Sequence, residues 1–176
     1  MKERNLKIFT IKNKKEEKFL RKKTCDFDFE KFSKKEIREL ADNMRKEMLK
    51  AKGVGLSANQ IGLDFKFFVA GLPDENSATK FFYVFNPRIE KASREKIILV
   101  EGCLSVPDIF GEVERPEKVI ISSHDKNGRK IKIAAKGLLA RIFQHEIDHL
   151  NGVLFIDKAK NLFRPGDEKN KSEMKI

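Results

Sequence analysis

Two histidines four residues apart with a glutamate beside the first, His145-Glu146-Ile147-Asp148-His149, constrain this chain more than any other feature. On an α-helix such residues share a face. Both imidazoles can then hold one metal ion while Glu146 reaches a water beside it, the arrangement of hydrolytic metalloenzymes. The chain has three histidines in all, and two of them are here. A catalytic metal also needs a third protein ligand and an open position. The fold must therefore press another element against this helix. The plain alternative is a helix carrying solvated His and Glu.

Three positions compete for the third ligand. A histidine six residues after the motif is ruled out, because that position is Phe155, although Gly152 stands where such a pattern has glycine. Glu168, 19 residues after His149, lies in the polar stretch Arg164-Pro165-Gly166-Asp167-Glu168, where no apolar helix is evident to hold it. Cys103 lies in Glu101-Gly102-Cys103-Leu104-Ser105-Val106-Pro107 and follows the apolar run Ile97-Ile98-Leu99-Val100. A thiolate suits zinc or iron(II), and a strand end places a ligand well. We favour Cys103, although a lone cysteine is more often a small buried hydrophobe.

Three segments match the signature motifs of one family, in that family's order. Gly53-Val54-Gly55-Leu56-Ser57-Ala58-Asn59-Gln60 fits G-x-G-L-[SA]-A-x-Q, Glu101-Gly102-Cys103-Leu104-Ser105 fits E-G-C-L-S, and Gln144-His145-Glu146-Ile147-Asp148-His149 fits Q-H-E-x-D-H. On these residues the chain resembles the peptide deformylases from about Ile37 to about Asp157, some two-thirds of its length. The resemblance implies a hydrolase that removes the formyl group from the initiator methionine of new polypeptides. It implies one divalent metal held by Cys103, His145 and His149, Fe2+ in the cell, with Ni2+, Co2+ or Zn2+ able to substitute. Glu146 would be the general acid and base. The Gln60 amide and the Leu104 backbone N–H would face the developing oxyanion.

The same resemblance implies supporting roles for Glu101 paired with Arg115, and for Asp148 beside the metal helix. A pocket for the methionine side chain would comprise Val54, Leu99, Leu138 and Ile142, with the ring face of His145. Leu138, Ile142 and His145 share a helix face, though all four apolar residues could equally be core. Backbone groups of Val54, Gly55 and Gly102 would pair with the peptide as an added strand.

The expected architecture is α+β: small, mostly antiparallel sheets around a central helix from Gly137 to about Leu150 that carries the motif, with Asn151-Gly152 as its stop, plus an N-terminal helix. That helix starts at Ser33, with Glu36 completing a capping box. Ile37, Leu40, Met44, Met48 and Leu49 follow at helical spacing up to about Ala51. Before Ser33 the chain reads as a basic, irregular lead-in. The family's P-D-P-type turn is replaced there by Asn13-Lys14-Lys15-Glu16-Glu17, which puts an N-terminal strand in doubt. Strands are expected at Phe65–Ala70, at Phe81–Phe85 ending before Asn86-Pro87, and in a hairpin of Lys118–His124 with Arg129–Ile133. His124, beside that turn, reads as a surface residue. Val153-Leu154-Phe155 would form a last strand. One catalytic domain spans residues 1–160, and 161–176 form a polar tail.

Two cysteines, Cys25 and Cys103, offer no disulfide framework and suit a reducing cytoplasm. No apolar run is long enough to span a bilayer, and Met1–Lys7 lacks the apolar core of a secretory signal. No membrane or DNA partner is expected, and a monomer is. Many of the 15 phenylalanines lie on the strands and read as core. The balance of 38 basic against 27 acidic residues gives +11. This favours a polyanion such as the ribosome or reflects a Lys-rich genome. Two other readings stand beside the enzyme: a zinc peptidase using Glu168, and an RNA-associated protein whose closed zinc site takes Cys25 as fourth ligand.

Overall fold

The structure, a computed structural model, describes residues 6–73 and 79–167. Its helices are α1 (Lys14–Leu20), α2 (Lys34–Lys50) and α3 (Gly137–Leu150). Its strands are β1 (Gly55–Ser57), β2 (Phe67–Pro73), β3 (Thr79–Ala92), β4 (Lys96–Cys103), β5 (Val106–Pro116), β6 (Lys118–His124), β7 (Lys130–Lys136) and β8 (Lys160–Phe163). All strand pairings are antiparallel, in a five-stranded sheet ordered β1-β2-β3-β6-β7 and a three-stranded sheet ordered β4-β5-β8. The expected α+β architecture is the observed one.

Alternation along the strands splits the core. Phe67, Val69 and Phe85 face α2, which contributes Ile37, Leu40, Ala41, Met44 and Met48. Phe68, Ala70, Val84, Val119 and Ile121 face the other way, onto Ile142, Phe143, Ile147 and Leu150 of α3. A third cluster, Val106, Val113, Leu154 and Phe155, lies under the small sheet. Helix α3 is thus wedged between the sheets, with one face for the apolar core and another for chemistry.

The capping box of α2 is present: Glu36 N–H donates to Ser33 Oγ at 3.2 Å and Ser33 N–H to Glu36 Oε2 at 2.8 Å. Leu49, counted with the apolar stripe of this helix, is instead exposed. The lead-in is not irregular throughout. Asn13 accepts from the N–H groups of Lys15 and Glu16 and starts α1. Strand β3 does not stop at Asn86-Pro87. Proline cannot donate to a ladder, so the register shifts there between Phe85 and Arg88. Asn86, at φ 49°, turns its amide onto the Phe27 backbone.

Strand β5 was not anticipated. Gly111 allows it, because a Cβ there would strike Leu162 and Ala159 of the segment lying on it. Val153-Leu154-Phe155 is not a strand. The chain makes a 3-10 turn at Phe155–Asp157, then forms β8 on β5, beyond residue 160 where the tail was expected to begin. Residues 1–5 and 168–176, including Glu168, lie outside the described residues.

Candidate metal centre

Cys103 arrives at the end of β4 and the two histidines on one face of α3. Their ligand atoms lie within 4.8 Å of one another, the one such group among the described residues. Cys103 Sγ is 3.1 Å from His149 Nε2. His145 donates Nδ1–H to Glu101 Oε2 at 2.9 Å, which directs its Nε2 away from the carboxylate. One sulfur and two imidazole nitrogens form a donor set that fits a divalent transition metal. Burial alone would push the Cys103 thiol up. The facing His149 and His145 outweigh it and hold the thiol well below its usual value, so the sulfur is poised as a thiolate. Burial would likewise lower His145, but hydrogen bonds with Cys103 and Glu101 raise it to about 10.

Glu101 is the hub beside the ligands. Arg115 donates Nε–H to Oε1 at 2.6 Å and Nη2–H to Oε2 at 3.0 Å. Its Nη1–H goes to Asp148 Oδ2 at 2.7 Å. Burial opposes the charge on Glu101, yet His145 and Arg115 keep its carboxyl far below the usual carboxylate range. The carboxylate that orients the His145 imidazole is therefore Glu101. Asp148 holds Arg115 and Lys158 instead.

Glu146 is enclosed by α3 and β1. Its Oε2 lies 2.6 Å from Ser57 Oγ. A Cβ on Gly55 would land on Glu146 Oε1, so only glycine lets β1 pass this close. Burial pushes the Glu146 carboxyl up, partly countered by His145 and His149, as suits a general base. Gln60 sits in a 3-10 turn and is fixed at both ends. Its Oε1 accepts from Ser57 N–H at 2.8 Å, and its Nε2 faces Ser105 Oγ at 3.0 Å and Cys103 Sγ at 3.6 Å.

A cavity of about 510 Å³ opens on this group. Val54, Gly55, Gln60, Gly102, Leu104, Leu138 and Ile142 line it, all named from the sequence. Leu99, named from the sequence, does not line it, whereas its neighbour Val100 does. The Val54 carbonyl already accepts from Gly71 N–H at 2.9 Å, within the sheet. Both flanking strands, β1 and β4, are edge strands of their sheets.

Sequence reasoning missed Ser57, Ser105, Arg141 and Phe110. Arg141 had a signal: one charge inside the apolar run Leu138–Phe143 must be buried with partners. Cys25 is exposed, 3.7 Å from Asp64, and does not join the group. His124 packs on the Phe29 ring, away from the ligands.

A family model described as "Polypeptide deformylase" matches residues 6–164. A peptide deformylase 2 of Gloeobacter violaceus is 45% identical over 126 residues, 72% of this chain and 67% of that protein. Among solved structures, a probable peptide deformylase from Synechococcus phage S-SSM7 superposes with TM-score 0.79 at 40% identity, covering 88% of this chain and 99% of that one. A peptide deformylase from Synechococcus elongatus in complex with actinonin gives TM-score 0.78 at 36% identity, covering 89% and 80%.

Proposed function

The chain belongs to the polypeptide deformylase family, and from that premise we infer that it hydrolyses the N-formyl group of formyl-methionine at the head of newly made polypeptides, releasing formate. The observation that carries this reading is the convergence of Cys103, His145 and His149 at a cavity that also holds Glu146 and Gln60.

We propose Cys103, His145 and His149 as the ligands of one divalent ion, with Fe2+ as the cellular metal and Ni2+, Co2+ or Zn2+ as substitutes. When bound, such an ion supplies Lewis acidity that makes water a nucleophile near neutral pH. Glu146 takes a proton from the attacking water, helped by the burial that raises its basicity. The water oxygen bonds to the formyl carbon, the C–N bond of the formamide breaks to leave formate, and the proton passes from Glu146 to the departing amine. Gln60 Nε2–H and the Leu104 N–H are the donors for the oxyanion. Loss of one such donor costs about 100- to 1000-fold in rate.

Ile142, buried, flanks the methionine side chain, with Leu138, Val54 and Val100 at the exposed rim. The peptide lies between the open edges of β1 and β4, near Gly55 and Gly102, as an added strand. That mode reads little beyond the first side chain, which fits an enzyme serving many nascent chains. We further propose a cytoplasmic monomer that touches the ribosome electrostatically. No helix among the described residues is long and apolar enough to cross a membrane.

The test is formate release from a formyl-Met tripeptide, with anaerobically purified protein loaded separately with iron(II), nickel and zinc. Metal-dependent release is expected, together with its loss by at least about 100-fold in Glu146→Gln while metal content is kept. Full stoichiometric metal with no release would refute the reaction, and an active Glu146→Gln would remove Glu146 as the base.

A further inference from the structure

Arg141 sits in α3 between Ala140 and Ile142 and is only 5% exposed. Its Nη1–H donates to Glu101 Oε1 at 2.6 Å and to the Val113 carbonyl at 2.9 Å. Its Nη2–H donates to the Ile97 carbonyl at 2.7 Å. One side chain therefore ties α3 to β4, to β5 and to the carboxylate beside the ligands.

The contacts on Glu101 divide two and two between its oxygens, the shorter pair on Oε1. Oε1 is occupied by Arg115 Nε and Arg141 Nη1, both at 2.6 Å. Oε2 is left for Arg115 Nη2 at 3.0 Å and His145 Nδ1 at 2.9 Å. Arg141 lies one helical turn before His145. The group that fixes the carboxylate and the imidazole it orients thus ride on the same rigid element. Arg115 already offsets the charge of Glu101, so what Arg141 adds is geometry. Cys103 comes from β4 and the histidines from α3, and the Arg141 fork spans that seam.

We propose that Arg141 is a positioning residue of the metal centre: by anchoring Glu101 Oε1 and the β4 and β5 carbonyls to α3, it sets the Glu101–His145 hydrogen bond and the approach of Cys103 to the two imidazoles. The proposal rests on the reading of Cys103, His145 and His149 as ligands.

The experiment compares wild type, Arg141→Lys and Arg141→Met. Cobalt(II) affinity is measured by chelator competition, the cobalt–thiolate absorption band is recorded, and the unfolding midpoint is read without added metal. Arg141→Met is expected to weaken cobalt binding by about 10- to 100-fold and to shift the band. Arg141→Lys should fall between, because one ammonium cannot reproduce a planar fork. A purely structural role would lower the midpoint and leave affinity and band as in wild type, and that result in any folded variant overturns the proposal. If Arg141→Met does not fold, Arg141→Lys decides by the same criterion. A wild-type chain that binds no cobalt would bring down the ligand reading itself and this proposal with it.

Discussion

Cys103 and Gly55 do unlike things for one centre, and each can be tested by removing a single feature. Cys103 is the only soft donor in the group, held as a thiolate by the facing imidazoles. Cys103→Ser keeps the size and replaces the thiolate with a hydroxyl that does not ionise at neutral pH. Metal affinity should drop by more than the about 10- to 100-fold typical of a supporting residue, read as metal content after dialysis against a weak chelator. Full occupancy would mean that the sulfur is not a ligand. Gly55 supplies space. In Gly55→Ala the new methyl group meets Glu146 Oε1, so Glu146, the proposed base, must swing away while Cys103, His145 and His149 stay. We expect kcat/KM to fall by about 100-fold or more with metal content unchanged. Near-normal turnover would show that Glu146 has room to move without cost.

Among the elements, α1 shows what a helix can owe to its neighbours. At seven residues it is too short to stand alone. Glu16 fastens it to the lead-in, accepting from Lys7 Nζ at 2.6 Å and from Thr10 N–H at 2.9 Å. The Lys7 and Thr10 hydrogen bonds hold the Glu16 carboxyl below its usual value, with burial opposing. A carboxyl lowered by folding stabilises above its unfolded value of about 4.3, and that contribution is lost as pH falls through the folded value. The unfolding midpoint of wild type should therefore exceed that of Glu16→Gln at pH 7, and the gap should be smaller at a pH below about 4.3. An equal gap at both pH values would assign the effect to shape and not to charge. Periodicity could not disclose α1, since its stability comes from Asn13 and tertiary contacts. It did disclose α2 and α3, where a long apolar stripe meets a sheet. The run of β3 through Pro87 was hidden for a related reason: a bulge rescues a residue that local rules place outside strands. At the site, the convergence of Cys103, His145, His149, Glu146 and Gln60 was legible because motifs carry them at fixed spacing. Ser57 and Ser105 stand in those motifs and Arg141 outside them, but their partners, 89, 45 and 40 positions away in the chain, show only in the fold.

At the scale of the whole molecule the excess of 38 basic over 27 acidic residues, +11, has to be reconciled with a site that handles neutral formyl-methionine. The charges in the centre are largely compensated: Arg115 and Arg141 meet Glu101 and Asp148. The surplus is therefore outside it, as on the edge strand β7, where Lys130, Lys132 and Lys136 share one face. Lysines on an edge discourage strand-to-strand association between copies, and they also present positive charge to a polyanion. The two effects separate with salt. A contact with ribosomal RNA made by several such cations displaces condensed counterions, and its affinity should fall by about 1000-fold or more between 50 and 200 mM salt. Deformylation of an uncharged formyl-Met peptide over the same range should change little, since the groups that act on it are buried and paired. Co-sedimentation with ribosomes across a salt series, run beside the peptide assay, gives both slopes. Retention that ignores salt would leave the lysines as edge protection alone. A peptide rate that collapsed in parallel would mean that the surface charge reaches into the site.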